Sequence, residues 1–122
     1  MSPRLLLVED SPTILNLISL MLKQEGYLVE TARDGLEGLD KLSRQPVDLI
    51  VTDVNMPRMD GLKFIESVRK QEAYLHLPII VLSTESDPQD KHEGLRRGAN
   101  VYLTKPVRPQ DLVKHVRQLL EG

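Results

Sequence analysis

Cysteine is absent from the 122 residues, which removes disulfides, thiolate catalysis and cysteine-ligated metals together and fits a reducing compartment. No apolar run approaches membrane-spanning length. The N-terminal Met1-Ser2-Pro3-Arg4 leads into only four apolar residues before Glu9 and Asp10, too few for a secretory leader. A surplus of one charge is also missing. The net charge is −2 with acidic and basic residues interspersed, so the basic face of a nucleic-acid binder is not there. No Gly-x-Ser-x-Gly elbow, Gly-x-Gly-x-x-Gly turn or phosphate-binding P-loop occurs, and no internal repeat or linker divides the chain. His76, His92 and His115 lack metal-ligand spacing and read as structural residues. The expectation is a cytoplasmic protein with no membrane or nucleic-acid partner, folding as one domain over residues 1–122.

What is present is 40% hydrophobic and 28% charged residues, ordinary for a globular domain, and a particular punctuation of the apolar ones. Leu5-Leu6-Leu7-Val8 stops on Glu9-Asp10, Leu49-Ile50-Val51-Thr52 on Asp53, and Val101-Tyr102-Leu103-Thr104 on Lys105. Short continuous apolar runs are the mark of parallel strands covered on both faces. Parallel strands share one C-terminal edge, where open α/β sheets bind ligands. Three carboxylates and one ammonium therefore meet at one rim. Clustered acids repel one another, which a hard divalent cation relieves, and a lysine beside them suits a phosphoryl group. The rim reads as a site for Mg²⁺ and phosphoryl.

Strand and helix signals alternate along the chain. Ser11 and Pro12 open a first helix whose Ile14, Leu17, Ile18, Met21 and Leu22 form one apolar face, closed by Gly26. Tyr27 to Thr31 is a second strand, Asp34-Gly35 a turn, and Leu36, Leu39 and Leu42 mark a short helix that ends before Pro46. A third strand covers Val47 to Thr52, followed by a Pro- and Gly-broken loop, Asn55 to Gly61. Leu62, Phe64, Ile65 and Val68 give a third helix, Ile79 to Leu82 a fourth strand, and Leu112 to Leu120 the last helix. The helix expected over Pro88 to Arg97 is poorly supported: Leu95 is its one large apolar residue and Gly94 and Gly98 lower its propensity. Strict (βα) alternation with short connections argues for a doubly wound α/β sheet, (βα)5, with helices on both faces.

Glu9-Asp10, Asp53 with Asn55-Met56-Pro57 and Asp60-Gly61, Ser83, and Lys105-Pro106 together resemble the receiver domains of bacterial two-component response regulators, in particular the stand-alone chemotaxis (CheY-like) type. The resemblance covers essentially the whole chain, with each element at the end of its strand. It implies a flavodoxin-like five-stranded parallel sheet of order 2-1-3-4-5. By position it implies that Asp53 accepts the phosphoryl group, that Glu9, Asp10 and the Asn55 backbone carbonyl hold Mg²⁺ with it, and that Ser83, with Thr84 beside it, and Lys105 bind the phosphoryl oxygens. Tyr102 would be the aromatic switch, Asn55 and Glu85 would tune dephosphorylation, and the bond before Pro106 would be cis. The acidic pair is Glu-Asp and the hydroxyl residue Ser, variants that receivers also use.

The implied donor is a sensor histidine kinase or histidine phosphotransfer protein. The implied output is altered affinity for a downstream partner, or for a second copy, through residues 85–108 and the last helix. Such a module is no dedicated enzyme, though it phosphorylates itself from small donors and dephosphorylates itself. A competing class is the aspartyl-phosphate phosphatase of haloacid dehalogenase type, which needs a second Asp two residues past the nucleophile. Asn55 stands there and cannot transfer a proton. Taken singly, the residues have plainer readings: Ser83 and Thr84 suit backbone satisfaction, Tyr102 an ordinary core, and Lys105 the solvent. The chain stops just after the last helix, consistent with either a whole signalling protein or the receiver piece of a larger regulator.

Overall fold

The computed structural model describes residues 2–121. Among these, five strands and five α-helices alternate: β1 (Arg4–Val8), α1 (Pro12–Gln24), β2 (Leu28–Ala32), α2 (Gly35–Arg44), β3 (Leu49–Asp53), α3 (Gly61–Arg69), β4 (Ile79–Ser83), α4 (Pro88–Arg96), β5 (Val101–Thr104) and α5 (Pro109–Glu121). A short 3₁₀ turn, Glu72–Tyr74, follows α3 and had no sequence signal. The sheet order is β2-β1-β3-β4-β5, with every neighbouring pair parallel. This is the (βα)5, flavodoxin-like arrangement expected from the sequence.

The continuous apolar runs divide by the period of two. Leu5, Leu7, Leu49, Val51, Ile80 and Leu82 face a core closed by Leu15 and Leu22 of α1 and Leu112 and Val116 of α5. Leu6, Val8, Ile50, Ile79 and Val81 face the other side, against Leu42 of α2 and Phe64, Ile65 and Val68 of α3. Every residue of β3 and β4 is buried, as central strands covered on both sides must be. Each of the first four helices starts on a side-chain cap: Ser11, Asp34, Asp60 and Asp87 accept from backbone N–H groups of the first turn.

Helix faces are where the sequence reading departs most. On α1 the buried residues are Leu15, Ser19 and Leu22, while Leu17 and Leu20 are 64% and 56% exposed. Apolar residues nearly encircle this helix, so periodicity alone cannot choose the inward stripe. On α2, Gly35, Gly38 and Leu42 turn inward and Leu36 stays exposed. Asp34-Gly35 is a helix start, not a free turn. β2 begins one residue later than expected, because the Tyr27 N–H still closes the preceding turn on the Leu22 carbonyl at 3.4 Å. β3 runs from Leu49 and includes Asp53 itself.

α4 is as lightly packed as its composition implies, with Gly94 its one buried residue and Leu95 exposed. The glycine has a reason. A Cβ at Gly94 would lie 2.9 Å from Cδ2 of Tyr102, so the helix needs a glycine where that ring rests against it.

Candidate functional site

Strand direction and register bring the charged rim together. Glu9 follows β1, Asp53 ends β3, Ser83 ends β4 and Lys105 follows β5. β1 and β3 are neighbours between which chain order reverses, the position where doubly wound sheets open a crevice. Carboxylate oxygens of Glu9, Asp10 and Asp53 lie within 4.8 Å of one another. Glu9 is 2% and Asp53 7% exposed, whereas Asp10 is open to solvent.

Lys105 bridges the two buried acids. Its Nζ stands 2.9 Å from Asp53 Oδ1 and 3.2 Å from Glu9 Oε1. The Val54 N–H donates to the same Asp53 oxygen at 2.9 Å. Among the described residues Oδ2 of Asp53 accepts no hydrogen bond, and no buried side-chain polar atom lacks a partner, so Oδ2 reaches solvent. One oxygen is held and the other is available. Burial pushes the Glu9 carboxyl above the usual range. The nearby Asp53 adds to this, and the Ser11 N–H and Lys105 only partly oppose it. Burial alone would lower the Lys105 ammonium, but Asp53 and Glu9 outweigh it and raise it, so the group stays charged.

The donor set fits a hard divalent cation: carboxylate oxygens, two of them in a low-dielectric rim, with excess negative charge that one lysine does not balance. The loop between β3 and α3 follows Asp53 directly. Among the described residues the carbonyls of Val54, Pro57 and Met59 in it accept backbone hydrogen bonds, whereas those of Asn55, Met56 and Arg58 do not. Gly61 fixes the loop's end. A Cβ there would sit 2.1 Å from the Asp53 carbonyl oxygen, and its N–H bonds the Val54 carbonyl at 2.7 Å.

The other expected residues fall into two groups. Ser83 is buried one register step from Asp53, which pairs with Leu82, and its hydroxyl accepts from the Glu85 N–H at 3.0 Å. Tyr102 is already turned inward, 7% exposed, donating to the Glu85 carbonyl at 2.9 Å. The Lys105–Pro106 bond is cis. By contrast Thr84, Asn55 and Glu85 are exposed, and their side chains make no hydrogen bond among the described residues.

One contact was not legible in the sequence. Arg58 adopts φ 63 in the loop and places Nε 2.7 Å and Nη2 2.6 Å from Asp34 Oδ2 at the start of α2. An isolated loop arginine carries no signal of a partner 24 positions away.

Residues 5–117 match the model of the response regulator receiver domain. The chain belongs to this family. It is 36% identical over 118 residues to the DNA-binding dual master transcriptional regulator RpaA of Synechocystis, covering 97% of this chain and 49% of that one. The chain spans about half the length of the first curated relatives it matches. The structure superposes on the chemotaxis response regulator CheY4 of Vibrio cholerae with TM-score 0.92 and 41% identity, covering 98% of this chain and 99% of that chain. It also matches the receiver domain of the Pseudomonas aeruginosa sensor histidine kinase PA1611, with TM-score 0.92, 31% identity and full coverage of both chains; that structure has a magnesium ion in its active-site cleft. Relatives of several output classes match alike, so what the similarity identifies is a CheY-like receiver rather than a chemotaxis protein. With its acidic triad this receiver is suited to Mg²⁺-dependent phosphoaspartate signalling, with a receiver's limited self-phosphorylation and self-dephosphorylation in place of dedicated catalysis. No helix of the described residues is long and apolar enough to cross a membrane.

Proposed function

We propose that Asp53 accepts a phosphoryl group from a phosphohistidine of a sensor kinase or phosphotransfer protein in the cytoplasm. The observation that carries this is the asymmetry of its carboxylate: Oδ1 is held by Lys105 and Val54 while Oδ2 is open. An Oδ2 lone pair attacks phosphorus in line, a P–O bond forms, the P–N bond breaks, and its electrons leave with the protonated donor imidazole. Glu9, Asp10, Asp53 and the Asn55 carbonyl would hold Mg²⁺, which when bound supplies charge compensation for the transferring oxygens. Lys105, kept as an ammonium by its acids, pairs with the new phosphoryl group, and Ser83 donates to it. Exposed Leu17 and Leu20 on α1, the helix that begins directly after the acidic pair, offer apolar footing for the donor.

The output is changed affinity for a protein partner, or for a second copy, at the face of α4, β5 and α5. α4 is the lightly packed element there, so a charge change nearby biases it readily. With Tyr102 already inward, phosphorylation holds the ring in place through Ser83 and the Glu85 turn. Polar Asn55 and Glu85 beside the site match the chemotaxis-type pattern, with a phosphoryl group open to water. The test is incubation with acetyl phosphate and Mg²⁺. Intact mass should rise by one phosphoryl group, labile at alkaline pH, and Asp53→Asn should abolish it. Label retained in that variant refutes Asp53 as the acceptor.

A further inference from the structure

Arg58 sits where a side chain is disfavoured. Its φ of 63 belongs to the left-handed region, which glycine enters freely and arginine does not. In this conformation the guanidinium grips one carboxylate. Nε and Nη2 lie 2.7 and 2.6 Å from Asp34 Oδ2, while Asp34 Oδ1 accepts the Glu37 N–H at 2.9 Å. Both Asp34 oxygens are engaged and its side chain is buried, so it is a fixed post at the start of α2. One residue on, the Gly35 N–H donates to the Met59 carbonyl at 3.2 Å. The loop over residues 54–60 is thus attached twice to the start of α2, and this loop carries Asn55, two residues past Asp53, whose carbonyl accepts no backbone hydrogen bond among the described residues.

We propose that Arg58 is a positioning residue for the metal site, its ion pair with Asp34 holding the loop that presents the Asn55 carbonyl. The inference rests on the reading of the acid cluster as a Mg²⁺ site. Among the described residues Arg58 makes no hydrogen bond or ion pair with Glu9, Asp10 or Asp53; it acts by removing the loop's freedom before the cation arrives, as partners behind metal ligands commonly do.

The test compares the parent chain with Arg58→Ala, Arg58→Lys, Asp34→Asn and the double variant Asp34→Asn/Arg58→Ala, all unphosphorylated. Asn at 34 still caps α2 through Oδ1 but puts an N–H donor in place of the carboxylate oxygen that accepts from Arg58, so the ion pair is lost. Calorimetric titration with Mg²⁺ should show affinity about five- to tenfold weaker in Arg58→Ala, with most of it restored in Arg58→Lys. The double variant should be no weaker than Arg58→Ala, because the two side chains act as one unit. Without metal, amide exchange over residues 55–60 should quicken in Arg58→Ala while β1 and β3 are unchanged. Parent-like Mg²⁺ affinity in Arg58→Ala, or a lysine variant as weak as the alanine one, overturns the proposal. If the parent itself bound no Mg²⁺, the metal reading would fall and this inference with it, whereas unchanged exchange over 55–60 would refute the Arg58 latch alone.

Discussion

Replacing Gly94 with alanine should displace Tyr102 without unfolding the domain. The new Cβ would lie 2.9 Å from Tyr102 Cδ2 and 3.2 Å from Cε2, so the conflict is with a side chain that can move and not with backbone. Alanine in a helix interior gains about 1 kcal/mol over glycine. Against this, the ring leaves its place on α4 and its hydroxyl loses the 2.9 Å bond to the Glu85 carbonyl. That bond contributes about 1 kcal/mol net. Exposing part of the ring costs about 1–2 kcal/mol more. The net is a loss of about 1–2 kcal/mol, a fall of about 3–8 °C in melting temperature. The assay is ¹⁹F NMR of fluorotyrosine-labelled protein, its three tyrosine resonances assigned with Tyr102→Phe, together with amide exchange at Glu85. The Tyr102 resonance should become solvent-sensitive and Glu85 should exchange faster. An unmoved resonance with unchanged Glu85 exchange would refute the idea that Gly94 is the ring's seat. A stability loss much above 4 kcal/mol would mean that the helix backbone, and not the ring, gives way.

Gly61→Ala should behave in the opposite manner. Its Cβ would meet the Asp53 carbonyl oxygen at 2.1 Å and backbone cannot yield as a ring can, so thermal unfolding should show a loss of about 3 kcal/mol or more. Glu93 has its pKa lowered to about 2 by hydrogen bonds from Arg96 and Arg97. A depressed carboxyl contributes stability above its ordinary value of 4.5 and loses it as pH falls toward 2. Protection of α4 amides, corrected for the intrinsic exchange rate, should therefore fall over that window, and Glu93→Gln should remove this pH dependence. Replacing Asn55 and Glu85 together with bulky apolar residues should prolong the acyl phosphate severalfold, since both side chains are exposed and stand two residues past Asp53 and Ser83. An unaltered decay rate would show that they do not govern access of water.

The layout of strands and rim was legible in the amino-acid order because it depends on local facts. Strands buried on both faces must be apolar throughout, so the residues that interrupt Leu5–Val8 and Leu49–Thr52 are necessarily at strand ends, and the half-buried edge run Val101–Thr104 stops at Lys105 in the same way. Parallel pairing then puts Glu9, Asp53 and Lys105 on one edge, and the strand order implied by the resemblance to receivers brings them close. What tertiary structure alone decided were relations between distant residues. Which stripe of α1 turns inward depends on the sheet it meets, which is why Ser19 is buried and Leu17 is not. The weak composition of α4 became intelligible only when Tyr102, on the neighbouring strand, proved to rest on Gly94. Arg58 acquires a role only because folding brings the start of α2 beside the loop, where a buried carboxylate can hold an arginine in a backbone conformation it would not choose alone. Propensity and periodicity act over a few residues, whereas these contacts join elements whose separation along the chain carries no pattern to read.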